Sequence, residues 1–115
     1  MKTLITSMVA ALAIAAAAPS AHAESYKPYQ REAVRAIWKV FGPRYAREAV
    51  RVAYCESRLT VSARNGQYKG LFQMGAYERG LFGHGSGAYA QARAAERYFV
   101  RSGRDWSPWT CRWAA

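Results

Sequence analysis

The stretch RYAREAVRVAYCES, residues 44–57, decides how this chain is read. Tyr45, Ala49, Val52, Ala53 and Glu56 recur at i, i+4, i+7, i+8 and i+11, the spacing of one face of an α-helix. Arg44, Arg47, Glu48 and Arg51 take the opposite face. Glu56 therefore continues an apolar stripe, where a surface glutamate would join the charged side. It also falls in the last helical turn, where the helix dipole disfavours negative charge. Burial and dipole both raise the pKa of a carboxyl, and a protonated carboxyl can donate a proton to a leaving group. Glu56 is thus a candidate general acid. The alternative is a helix-end glutamate turned out to solvent.

Working outward, Tyr29 to Phe41 reads as a preceding helix, with Ala33, Val34, Ile37, Trp38 and Phe41 on one face. Gly42-Pro43 stops it and starts the next, since proline suits a first helical turn. Downstream, Arg58 to Lys69 is polar and irregular, with Asn65-Gly66 as a turn signal, and predicts a loop or a short hairpin. Gly70 precedes a short helix expected over Leu71 to Leu81. Residues 83–87 form a glycine-rich loop. Ala88 to Ser102 predicts a last helix with Ala88, Ala92, Ala95 and Phe99 on one face, ended by Gly103. An aromatic tail holding Trp106, Trp109 and Trp113 follows. The expected fold is mainly α, a small helical domain with a loop or hairpin insertion.

The first 23 residues read as a secretory signal. Met1-Lys2-Thr3 is a short basic start, Leu4 to Pro19 is almost wholly apolar, and Ala21-His22-Ala23 is a small-residue cleavage pattern. An uncleaved membrane anchor is the alternative, but the apolar run is short for a span. Cleavage would leave residues 24–115 as a single domain, large enough for a core yet marginal in stability. In an oxidising compartment Cys55 and Cys111 are most simply a disulfide. The expected location is extracellular and wall-associated.

The whole chain carries +10, and loss of Lys2 with the leader leaves sixteen basic against seven acidic residues, or +9. Such a protein is drawn to polyanions, among them the phosphate-rich polymers of a bacterial wall and anionic membrane surfaces. Nucleic acid is disfavoured as a partner, because the arginines are spread along helix faces and no nucleic-acid motif occurs. After the leader no segment is apolar enough to insert stably in a bilayer. A monomer is expected. No metal or other cofactor is implied: His84 is the single histidine after the leader, and no cluster has ligand spacing. A Cys55–His84 nucleophilic pair is conceivable, though a second cysteine stands ready to oxidise Cys55.

Acid catalysis at a sugar remains. Glycosidic cleavage needs a proton on the departing oxygen and help for the developing oxocarbenium charge. Glu56 can supply the proton. Glu78 and Asp105 are weak candidates for a second carboxylate. A single acid suffices where the 2-acetamido group of the substrate assists, and N-acetylated wall sugars carry one.

The motif Ala53-x-Cys55-Glu56-Ser57, with Gly66-x-Tyr68-x-Gly70-Leu71-Phe72-Gln73, resembles the lysozyme-like superfamily. Within it the chain is most similar to soluble lytic transglycosylase (SLT) domains and to actinobacterial resuscitation-promoting factors. Gln91-Ala92-x-x-Ala95-Glu96-Arg97 and the closing Trp109-x-Cys111 resemble the end of the latter domain, where a cysteine bridges to the one before the catalytic glutamate. The resemblance covers about Ala33 to Cys111. It implies an α+β lysozyme-like fold and cleavage of β-1,4 MurNAc-GlcNAc linkages in peptidoglycan glycan strands. By position it implies Glu56 as catalytic acid, Ser57 as its supporting neighbour and Gln73 as a cleft-facing residue. Tyr68 and Phe72 are expected near the sugar subsites. The chain lacks the A-Y-N-x-G segment of SLT domains. It has Gly-Leu-Phe-Gln where resuscitation-promoting factors have Gly-Leu-Gln-Phe, so the subfamily stays open. The rival functions are a non-catalytic wall-glycan-binding module and a cationic membrane-active protein.

Overall fold

The computed structural model describes residues 25–115, so the expected leader lies outside the described residues. Helix α1 runs Pro28–Ser57. Lys27 caps it in extended conformation, its N–H donating to Gln30 Oε1 at 2.9 Å, with Pro28 filling a position that needs no donor. The Gly42-Pro43 break is present without a loop. Gly42 takes φ 78°, ψ 173°, and splits α1 into two arms that continue across the kink. Only glycine adopts that geometry at little steric cost.

At the far end of α1, Arg58 and Leu59 both turn left-handed, with φ of 53° and 61°. Such a conformation costs on the order of 1–3 kcal/mol for a residue with a side chain. Leu59 is fully buried, and full burial of a leucine returns about 1.5–3 kcal/mol. Dropping Leu59 into the core thus offsets part of the cost of the two left-handed residues.

The polar insertion is a hairpin. Strand β1 (Arg64–Asn65) pairs antiparallel with β2 (Tyr68–Lys69), in the register Arg64 to Lys69 and Asn65 to Tyr68. Gly66 at φ 62° supplies the first central position of its two-residue turn. Lys69 and Met74 then form a further antiparallel bridge.

The helix expected over Leu71 to Leu81 is shorter. Helix α2 is Ala76–Phe82. Gly70 (φ 83°) and Gln73 (φ 48°) are left-handed, so the backbone between them is a turn and not a helix. The gain is burial of Leu71 and Phe72, both 2 % exposed or less. Helix α3 is Ala88–Arg101, and Ala88, Ala92, Ala95 and Phe99 are buried as their spacing predicts. A 3-10 turn, Thr110–Ala114, closes the chain and packs on α1. It is tied there by the disulfide Cys55–Cys111, whose Cα atoms lie 6.0 Å apart.

The core is aromatic at its centre. Phe41, at the end of the first arm of α1, sits 5.7–5.8 Å from Phe72, Phe99 and Trp106. Phe72 and Trp106 are nearly parallel, and Trp106 donates its indole N–H to Glu48 Oε1 at 2.8 Å. Glu48, assigned by its spacing to the charged face, thus satisfies a buried tryptophan. Gln91 is the polar hub. Its Oε1 accepts from Leu71 N at 2.8 Å, and its Nε2 donates to the carbonyls of Val61 and Gly85 at 3.0 and 2.9 Å. One buried amide therefore joins three loops to α3. Among the described residues, no helix is long and apolar enough to cross a membrane.

Candidate active site

Glu56 lies one residue before the end of α1, and its carboxylate opens onto a cleft of about 330 Å³. The hairpin, the start of α2, the end of α3 and the tail supply the other walls. Glu56 is half-buried, and burial raises its pKa above the ordinary 4.5. A single backbone contact opposes this: Cys111 N–H donates to Glu56 Oε2 at 3.0 Å. Burial is the larger effect, so the acid holds its proton to a higher pH than a solvated glutamate does. The position of that N–H depends on the disulfide, which fixes Cys111 against the residue preceding Glu56.

One wall is aromatic. The Tyr98 ring is 4.8 Å from Trp109 and 5.1 Å from Phe82, stacked on the latter. Trp109 is 3 % exposed, and its indole N–H donates to Phe72 O at 3.0 Å, so its remaining edge is held rigidly at the cleft. The facing wall is the hairpin, with Tyr68 at 45 % exposure. Arg79 clamps this wall to α2 by donating to Gln67 O and to Met74 O at 2.6 Å. Gln67 in turn accepts from Ala76 N at 3.2 Å.

Gln73 also borders the cleft. Its Nε2 donates to Gly70 O at 3.1 Å and Ala63 O at 3.3 Å. The amide nitrogen therefore holds the turn, and the carbonyl oxygen is left to accept from whatever enters. Glu78 is the second carboxylate in the cleft. It folds back over Gly75, where an added Cβ would lie 2.7 Å from Glu78 Oε1. Burial first, and the Glu78 charge second, push the Tyr98 phenol up, which places that carboxylate and that hydroxyl in one electrostatic neighbourhood.

The fold thus brings Glu56, Gln73 and Tyr68 together with Glu78, one of the two candidate second carboxylates, and adds Tyr98 and Trp109. Two expected site residues are elsewhere. Phe72 is 2 % exposed and belongs to the aromatic core, because the left-handed turn at Gly70 aims it inward. It reaches the site only through its carbonyl, which positions Trp109. Ser57 does not line the cleft. Its hydroxyl donates to Ala53 O and Leu71 O at 3.1 and 2.8 Å and accepts from Thr60 N, tying the Leu71 turn to the end of α1. Asp105 is exposed and accepts from Ser107 N at 2.8 Å, away from the cleft.

The rival nucleophile is closed off, since Cys55 is bonded to Cys111 and no free cysteine occurs among the described residues. Burial, then the charges of Arg79 and Lys69, lower the His84 pKa, which favours the neutral ring. Among the described residues there is no group of three or more His, Cys, Asp or Glu that could hold a metal ion. Trp109 and Tyr98 were the residues spacing alone did not find. The signal available for Trp109 was the density of tryptophan beside Cys111.

No family model, curated protein or solved structure matches the chain.

Proposed function

We propose that this is an exported, lysozyme-like enzyme that cleaves β-1,4 MurNAc-GlcNAc linkages of peptidoglycan, as a lytic transglycosylase or a muramidase. The observation that carries the reading is a half-buried glutamate of raised pKa in an open cleft with a stacked aromatic wall. Flat rings with polar tips suit sugar faces.

In this scheme Glu56 gives its proton to the glycosidic oxygen as the C1–O bond breaks. The 2-acetamido carbonyl oxygen attacks C1 and takes up the positive charge. Glu56, now a carboxylate, accepts a proton from either water or the sugar's own 6-hydroxyl as that oxygen displaces the acetamido group. Water gives a reducing end and the 6-hydroxyl a 1,6-anhydro end. Either route returns Glu56 to its starting state. Glu78 is the carboxylate available to steady the charged intermediate.

Mass spectrometry of soluble products released from purified peptidoglycan tests the proposal. Fragments ending in anhydro or reducing muramic sugars, which differ by one water, support it and name the outcome. Tight binding to the wall with no released fragments would instead make the protein a glycan-binding module.

Gln73 offers a finer test. Gln73→Ala is expected to lower turnover about 5- to 150-fold, the effect of losing one hydrogen bond worth about 1–3 kcal/mol in a partly buried site. Sedimentation with wall material should fall little, since the +9 charge expected after leader removal supplies long-range attraction. Melting temperature is measured on the same sample. An activity loss that only tracks the unfolded fraction would restrict Gln73 to holding the Gly70 turn.

A further inference from the structure

The charged face of the second arm of α1 forms a surface of its own. Arg47, Arg51 and Tyr54 follow one another at i, i+4 and i+7 along about 10 Å of the helix, and Arg58, left-handed just past its end, lies beside Tyr54. All four are exposed. Arg47 lies over the Trp38 ring at 5.6 Å and Arg58 over the Tyr54 ring at 5.2 Å. Two adjoining hollows flank the stripe, of about 820 Å³ and 150 Å³, and they share Tyr26, Val50 and Arg51. The larger is rimmed by Trp113, which is 77 % exposed.

Two features separate this groove from the Glu56 cleft. First, it has no lining residue in common with that cleft. Second, no aspartate or glutamate lines either hollow, whereas Glu56 and Glu78 line the cleft. Arginines and aromatic rings lie side by side along it. Arg47 and Arg58 are held over rings, Arg58 also donates to the Tyr54 hydroxyl at 3.2 Å, and Arg51 is held by donating from its Nε to Ala114 O at 3.0 Å. All three are therefore partly ordered before a ligand arrives, and a planar guanidinium fork fits oxyanions. A ligand that uses both components must carry repeated negative charge and flat, apolar faces.

We infer that this groove binds a linear anionic sugar polymer, the charges meeting Arg47, Arg51 and Arg58 while sugar faces rest on Tyr54 and Trp113. Phosphodiester-linked and carboxylated polymers share that chemistry. Together with the proposed activity, the groove would hold the protein on a charged wall while the cleft acts on neutral glycan, but it does not depend on that activity.

The test compares the purified protein with Arg47→Gln/Arg58→Gln and with a charge-matched control, Arg93→Gln/Arg101→Gln, exposed positions on α3 outside both hollows. The probes are a hexose-phosphate polymer with phosphodiester links between sugar rings, polygalacturonate and a single-stranded oligonucleotide. Affinity is followed against salt. The groove variant is expected to lose about tenfold or more at low salt on at least one of the two sugar polymers. Its log–log salt slope there should shrink by about 1.5, from roughly 0.7–0.9 per neutralised charge. The control should change less than threefold. Whichever of the two polymers shows the difference identifies the source of the anion. Turnover on peptidoglycan stripped of attached polymers should be the same in all three proteins, so loss of anchoring is distinguishable from loss of catalysis. Equal losses in the control, or equal or tighter binding of the oligonucleotide, would overturn the inference, since net charge or nucleic-acid affinity would then explain the binding.

Discussion

Replacing Glu56 with glutamine is expected to lower glycan cleavage by about 10²–10⁴-fold, the range that one general acid supplies. The amide keeps the shape and can still accept the Cys111 N–H, but it has no acidic proton. The fold should survive, and its stability should respond to pH in a defined direction. Burial raises the Glu56 pKa above 4.5, so between 4.5 and the raised value the folded state binds more protons than the unfolded state. Stability of the native protein therefore falls as pH rises through that window, and the deficit is complete above it. Glu56→Gln lacks this dependence and should melt at or above the native protein at neutral pH. Glycan cleavage by the native protein is expected to fall over the same interval, because the proposed donor loses its proton. Circular dichroism and muralytic assays across pH give both curves. A variant with native-like activity would sink the acid assignment. A variant that melts well below the native protein at neutral pH would show that the carboxylate is structural.

Removing the disulfide is expected to produce the largest change in stability. The bond closes a loop of sequence separation 56, for which the chain-entropy model gives about 4 kcal/mol. In a domain this small that is roughly 15–30 °C of melting temperature. Cys55→Ser/Cys111→Ser should also lose more turnover than its unfolded fraction explains at a temperature where most of it is folded. The 3-10 turn would no longer be pinned beside α1, and Cys111 N–H would leave Glu56 Oε2. The loss of that donor removes the one contact that favours the charged form, so the alkaline limb of the pH profile should move upward. Intact mass before and after alkylation establishes the bond in purified protein. Two free thiols in protein secreted to the medium, or a melting temperature unchanged by the double substitution, would refute this account.

Much of this molecule was legible in its order of residues. Helical spacing located the buried faces of α1 and α3, because a single helix axis converts position directly into direction. Gly42-Pro43 marked the kink, since few residues other than glycine take that backbone geometry. Glu56 stood out because an acid on an apolar stripe breaks the pattern around it, and Cys55 and Cys111 were the one pair available. Contacts between distant segments were not legible. Phe72 and Trp109 are both large aromatic residues beside motif positions, yet the first fills the core and the second borders the cleft. That choice was made by left-handed turns at Gly70 and Gln73 and by the indole bond to Phe72 O. Ser57 faced inward because the Leu71 turn offered its carbonyl. Glu78 entered the site because α2 starts at Ala76 and not at Leu71, which depends on what Leu71 and Phe72 gain by burial. Periodicity fixes which way a side chain points from its own helix. Which side chains share a cleft is set by long-range packing, and that is decided only when the helices, hairpin and tail close on one core.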